Sequence, residues 1–220
     1  MFVKAIRLVP SKAPSLPISP NKYDQRYGEI YSKLLRIYFN QIDNLFESIL
    51  GVTGLKTLRS VYGSFYDTGN HTALANVATA VFLNGTAVAN DVYIGSPTSR
   101  VYVNSAGVYN IQFSIQLSNT GTGTSNIDDV TIWFRLNGIN IPNSASITQV
   151  PSRSGTIDGH IILDLNFMLE MNAGDYVELY WTSDTGTTAL NTYPASVIAP
   201  IHPASPATIL TVSFVSALMS

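Results

Sequence analysis

Cysteine is absent from the 220 residues. That removes a disulfide framework, a thiolate zinc site and a thiol nucleophile together. The fold must rest on burial alone, and such a chain fits a reducing compartment. Charge is also scarce. Asp, Glu, Lys and Arg make up 12% of the chain, against about 25% in an average soluble protein. Joined to 45% hydrophobic residues, this argues against intrinsic disorder. No window approaches the ~20 unbroken apolar residues of a membrane span, so no membrane insertion is expected. Met1-Phe2-Val3-Lys4 opens no long apolar run, which argues against a secretory signal.

Catalytic vocabulary is missing as well. The three histidines, His71, His160 and His202, are far apart and lie in no HxH or HExxH context. No serine sits in a GxSxG elbow, and no glycine-rich phosphate loop is present. Asp128-Asp129 offers oxygen ligands without a calcium-loop pattern and reads as a solvated turn. Carboxylate pairs for glycoside hydrolysis depend on separation in space. The scarcity of acids flanked by aromatics nevertheless argues against a glycan-cleaving site. No catalytic residue, metal site or cofactor is expected.

The few charges are unevenly spread. Residues 1–60 carry nine basic and four acidic groups, a net of +5. Residues 61–220 carry Arg100, Arg135 and Arg153 against ten acids, a net of −7, and no lysine follows Lys56. Such a split suggests two regions with different partners. Phosphate contact needs clustered Lys and Arg, so nucleic-acid binding by the acidic body is not expected. In the basic region the charges are separated by apolar residues and lack the density of a binding tail.

Three segments follow. Residues 1–20 hold Pro10, Pro14, Pro17 and Pro20, too many for a helix or a central strand. Phe2, Val3, Ile6, Leu8, Leu16 and Ile18 make this an apolar extended strap rather than a solvated linker. Residues 21–50 read as one helix, capped by Ser19, opened by Pro20 and stopped by Gly51. Tyr27, Ile30, Tyr31, Leu34, Ile37, Tyr38, Ile42, Leu45, Phe46 and Ile49 gather on one side at about 100° per residue. Within that side, Tyr27, Tyr31, Leu34, Tyr38, Leu45 and Ile49 approximate a coiled-coil seam interrupted by Gln41. The stripe is wider than a strict seam. Such a helix either packs on its own domain or, the reading preferred here, forms a short parallel bundle between identical chains. A linker over 51–60 separates it from the rest.

Residues 61–220 are β-rich, with Val, Ile, Thr, Tyr and Phe segments between Gly, Ser, Asn and Pro turns. Strands are predicted near 61–66, 76–83, 90–94, 99–104, 107–118, 128–137, 159–170, 174–182 and 207–217, enough for one sandwich core. Alternation assigns the faces. Tyr109, Ile111, Phe113, Ile115 and Leu117 point inward, as do Val130, Ile132, Phe134 and Leu136. So do Ile161, Leu163, Leu165, Phe167 and Leu169, and then Val177, Leu179 and Trp181. Trp133, Tyr176, Glu178 and Tyr180 fall on an outward face. Outward aromatics on adjacent strands suggest a subunit interface, unless local loops cover them.

The motifs Gly107-Val108-Tyr109-Asn110-Ile111, Leu136-Asn137-Gly138 and Ala173-Gly174-Asp175-Tyr176-Val177-Glu178-Leu179, with a closing strand at 209–214, occur in that order. This resembles the trimeric jelly roll of tumour necrosis factor and the complement globular head. A wider likeness rests on further motifs. They are Tyr62-Gly63-Ser64-Phe65-Tyr66, Gly95-Ser96-Pro97-Thr98-Ser99-Arg100, the stretch 106–114, Ile141-Pro142-Asn143-Ser144 and the stretch 206–212. Together they resemble a domain recurrent in tailed-phage virion proteins, above all of marine and cyanobacterial phages. The segment from Tyr23-Asp24-Gln25-Arg26-Tyr27 to Asn44 is similar to the helix that often precedes that domain.

The resemblance implies a homotrimeric virion structural protein, assembled in the bacterial cytoplasm and placed on a tail fibre, a tail appendage or the capsid. Under that expectation Phe2, Ile6, Leu8, Leu16 and Ile18 anchor the chain to other virion proteins. Tyr27, Tyr31, Leu34, Tyr38, Gln41, Ile42, Leu45 and Ile49 form the trimer helix, and Trp133, Tyr176 and Tyr180 the trimer β interface. Two alternatives stand beside it. One is a module that binds a host surface glycan or protein through the loop 119–126, with Thr122 and Thr124, and through the segment 183–206, with Tyr193. The other is a polysaccharide-degrading enzyme.

Overall fold

A computed structural model describes residues 13–50, 60–123 and 126–218, with helix side chains as far as Phe46. The chain divides into two units between Ser60 and Val61. In the first, residues 13–24 form neither helix nor strand. Helix α1 (Gln25–Leu50) follows. It starts four residues later than the Pro20 signal predicts. The Asp24 carboxylate accepts the Arg26 amide at 2.8 Å, so Asp24, not Ser19, satisfies an orphan amide of the first turn. The predicted stop at Gly51 lies outside the described residues.

The second unit is a sandwich of antiparallel sheets. Its strands are β1 (Tyr62–Asp67), β2 (His71–Thr72), β3 (Thr79–Ala80), β4 (Gly85–Asn90), β5 (Val92–Ile94), β6 (Val101–Val103) and β7 (Gly107–Asn119). They continue as β8 (Asp128–Leu136), β9 (Ile139–Asn140), β10 (Ser146–Val150), β11 (Gly159–Met171), β12 (Tyr176–Ser183), β13 (Thr188–Leu190) and β14 (Thr208–Ser216). In one sheet β11 pairs with β7 along its whole length. The other edge of β7 is shared by β14 and β13, and β14 leads on to β1 and β4. The second sheet runs β10-β8-β12-β6-β5, with β9 on β8 and β3 on β12.

The predicted inward rows of β7, β8 and β12 meet between the sheets. Tyr109, Ile111, Phe113, Ile115, Leu117, Val130, Ile132, Phe134, Val177, Leu179 and Trp181 are all buried. Phe134 of β8 stacks edge-on against Phe113 of β7 at 5.5 Å and reaches Phe167 of β11 at 5.9 Å, locking one sheet to the other. The inward row of β11 is only half-buried, because this strand pairs with β7 and lies at the edge of its sheet.

Turn chemistry sets the register. Asn137 (φ 50°) and Gly138 (φ 81°) both take the left-handed conformation of a type I′ hairpin between β8 and β9. The Asn137 side chain also donates to Asp175 at 2.8 Å and accepts the Tyr176 amide at 3.0 Å, tying two turns together.

Several strands depart from expectation, the short β2, β9 and β13 being unpredicted. The segment 76–83 contributes only the two-residue β3. The strands β4 and β10 carry no sequence signal strong enough to predict. Both lie at sheet edges, so their pairing is set by the strands beside them.

Candidate functional site

In the first unit, Tyr27, Tyr31, Leu34, Tyr38, Ile42 and Leu45 are half-buried, whereas Gln41 is exposed. Ile42 therefore takes the place in the row that a heptad seam would give to Gln41. The pairs 27/38, 31/42 and 34/45 are each eleven residues apart, a period of ~3.67 that lies just above the ~3.6 of a straight helix, on the right-handed side, rather than at the ~3.5 of a left-handed coil. Tyr27 and Tyr31 stack at 6.0 Å. The Tyr27 hydroxyl donates to the Pro17 carbonyl at 3.4 Å, which holds the strap beside the first turns. Beside this row Ile30, Ile37 and Phe46 remain exposed, with Phe39 on another side. Of the predicted anchor, Leu16 and Ile18 are exposed. Phe2, Ile6 and Leu8 lie outside the described residues, as do Thr124 and the Ile49 side chain.

On the outer face of the β8-β12 sheet the predicted aromatics do come together, and arginines from their own chain join them. Trp133 and Tyr180 are directly paired across β8 and β12, with ring centroids 6.0 Å apart. The Arg135 guanidinium lies 4.3 Å over the Tyr180 ring, and the Trp133 indole donates to Asn140 at 2.9 Å. Farther along, Tyr93, Tyr102 and Tyr176 form a ladder at 5.4 and 5.1 Å, with Arg100 4.5 Å over Tyr176. Each guanidinium lies over the negative face of its ring. Trp133, Tyr102, Tyr176 and Tyr180 are half-buried, and Tyr93 is exposed.

Glu178, read as outward, is only 3% exposed. It accepts the Ser99 hydroxyl at 2.9 Å and Arg100 at 3.4 Å. The segment around Ser99 crosses over the sheet here and covers the carboxylate, which strand alternation does not reveal.

At one end of the sandwich two buried polar residues organise the loops. Asp128 is fully buried and is not a solvated turn. It accepts Ser183 Oγ at 2.5 Å and the amides of Thr185 and Thr188 at 3.0 and 3.1 Å. Burial opposes its ionisation, but hydrogen bonds from Ser183, Thr188 and Thr185 outweigh this and hold the carboxyl below its ordinary range. Asn119, also fully buried, donates to the carbonyls of Asn126 and Val150 and accepts from Gly121 and Thr187. These contacts fix both ends of the loop that carries Thr122, and Thr122 bridges to Arg153.

Tyr193 stands elsewhere, on the outer face of the β11-β7-β14 sheet. Its hydroxyl and His160 Nδ1 share a hydrogen bond of 2.9 Å. The pair borders a cavity of about 430 Å³ with Gln116, Leu117 and Ile162. His160 is separated from Tyr193 by 33 residues, so no sequence signal links them.

Among the described residues three carboxylates are buried, Asp67, Asp128 and Glu178, and each accepts hydrogen bonds from its own neighbours. Among the described residues no group of three or more His, Asp or Glu could hold a metal ion. No described helix is long and apolar enough to cross a membrane. Compared with known proteins, the chain matches no family model and no curated sequence.

Proposed function

We propose that this chain is a non-enzymatic structural protein of a tailed-phage particle, working as a homotrimer. Its helix sets the association, its strap docks on the particle and its sandwich forms the displayed head. The observation that carries the self-association is the helix. Its apolar side is broader than a short strap covers, and it leaves Ile30, Ile37 and Phe46 in water. The eleven-residue spacing suits a straight or weakly right-handed bundle of parallel copies. The order of strands supports reading the head as a jelly roll, since the chain changes sheets from β6 to β7, β7 to β8, β10 to β11, β11 to β12 and β12 to β13. The virion assignment rests on the sequence resemblance.

Light scattering at low micromolar concentration tests the trimer, and a persistent monomer there refutes it. Deleting residues 1–20 is expected to leave trimers that fold but do not join particles. Unaltered incorporation refutes the docking role. Locating the chain in a density map of the intact particle then decides between tail and capsid.

A second reading has one observation in its favour. The Tyr193–His160 pair at the mouth of its cavity joins an aromatic ring to polar groups, as a site for a host surface glycan or protein would. Binding of purified protein to host cells that is lost in Tyr193→Ala supports this reading. No binding by the wild type removes it.

A further inference from the structure

Between β13 and β14 the chain does not cross the sheet as a plain loop. It rises as a finger over 193–205. Tyr193 and Ser205 exchange both backbone hydrogen bonds at 2.9 and 2.8 Å, and Ser196 and His202 do so at 2.9 and 3.2 Å. The base of the finger is pinned on three sides. Gln116 of β7 donates to Ser205 Oγ and, at 2.8 Å, to the Pro206 carbonyl. Tyr193 meets His160 of β11, and the Thr192 amide donates to Asn70 at 2.8 Å. The tip is aliphatic and bare. Val197 is 88% exposed, and Ile198 and Ile201 are each 77% exposed. A rigid base that holds three aliphatic side chains in water marks a contact surface.

The same face carries a matching recess. Beside the base of the finger is a groove of about 310 Å³, lined by Tyr66 of β1, Ala87 of β4, Ile209 of β14 and Ala204 and Pro206 of the finger's own base. No charged side chain lines it. It is apolar, as the tip is.

We infer that the finger of one copy inserts Val197, Ile198 and Ile201 into the Tyr66–Ala87–Ile209 groove of a neighbouring copy. Tip and groove are different patches of one surface, and in a ring of three their contact is head-to-tail, whereas a two-fold pair would exchange fingers reciprocally. Head-to-tail contacts end in a closed ring when the rotation between copies closes, and in an open filament when it does not. Ring closure at three copies rests on the trimer proposed above.

The absence of cysteine makes the test free of background thiols. The full chain carrying Ile198→Cys and Ala87→Cys is treated with a short bis-maleimide and run under denaturing conditions, with light scattering on the untreated protein alongside. The expected product is a covalent trimer from the double variant and none from either single variant, while mixed single variants give covalent dimers. Cross-linking by Ile198→Cys alone puts tip against tip and overturns the inference. A cross-link confined to one chain, or a covalent dimer as the end product of the double variant, overturns it too, whereas a ladder beyond three copies supports the finger contact and refutes closure at three. Trimers in solution without any cross-link refute the finger contact and leave the trimer standing, whereas monomers in solution refute both. The triple variant Val197→Ser, Ile198→Ser, Ile201→Ser changes only exposed side chains. It is expected to raise the concentration at which trimers half-dissociate by about a hundredfold, and an unchanged value counts against the finger.

Discussion

Replacing Asp128 by Asn keeps the shape of the side chain and removes its charge. In the wild type both carboxylate oxygens are used, one by the Thr185 amide and the other by Ser183 Oγ and the Thr188 amide. An amide can offer an oxygen to one side only. If its oxygen faces Thr185, its NH2 faces the Thr188 amide and the Ser183 hydroxyl, which then lose their acceptor in a fully buried place. Each orphaned buried donor costs about 1–3 kcal/mol. Rotation of the Ser183 hydroxyl recovers part of that, so the expected loss is about 3 kcal/mol. For a body of this size about 3 kcal/mol corresponds to a fall of roughly 6–12 °C in Tm.

Differential scanning calorimetry of wild type and Asp128→Asn at neutral pH checks the magnitude. Acid provides a second check. The folded-state pKa of Asp128 is depressed, so its contribution is complete above the unfolded value and is lost as pH falls through the folded value. The gap between the two proteins should therefore narrow below about pH 4. Every other carboxylate is common to both proteins, so the difference between them isolates Asp128. A change under 1 °C at neutral pH, or a gap that widens on acidification, refutes the claim that this carboxylate holds the loops.

Other perturbations address separate parts of the molecule. Phe134→Ala removes the ring that joins the two sheets and should cost about 3–5 kcal/mol in denaturant unfolding; a smaller loss means that Phe113 and Phe167 collapse into the space. Gly159→Ala would place a Cβ 1.8 Å from the Pro151 carbonyl oxygen. It should destabilise by about 1–3 kcal/mol or more, and a neutral effect in thermal melts rules out that close approach. Glu178→Ala strips Ser99 and Arg100 of their shared acceptor and should lower stability by about 2 kcal/mol, read from urea midpoints. Tyr31→Ser with Ile42→Ser should abolish trimers in light scattering while the β sandwich of the full chain still unfolds cooperatively in thermal melts; intact trimers refute the helix as the associating element.

Much of the β body was legible because strand alternation is a local property. The pleat places every second residue on one face, so Tyr109 to Leu117 and Val130 to Phe134 could be assigned inward without knowing their neighbours. The hairpin at Asn137-Gly138 was legible for the same reason, since few residues accept two successive positive φ angles. The helix itself was legible from its period, but its first residue was not. Ser19-Pro20 was the start signal read from the sequence, and the hydrogen bond from the Arg26 amide shows that Asp24 supplies the cap instead.

Legibility ended where residues distant in sequence meet. Asp128 looked like a turn acid because its donors arrive from Ser183, Thr185 and Thr188, some 55–60 residues away. Glu178 looked exposed because alternation reports a direction and not what lies above it. The finger had a signal of its own, an aliphatic run at 197–201 among prolines, but nothing local says that its base is pinned while its tip stands free.

The sequence alone determined the class of fold, the inward rows, the tight turns and the division between a basic helical part and an acidic β part. Each of these follows from steric or periodic rules that act over a few residues. Tertiary structure decided which carboxylates are buried, that Arg100 and Arg135 lie over the outward tyrosines, that Tyr193 meets His160, and that the finger stands beside a groove. These depend on strand order and crossing loops, and many chain segments of similar local pattern compete for each such contact until the whole sandwich closes.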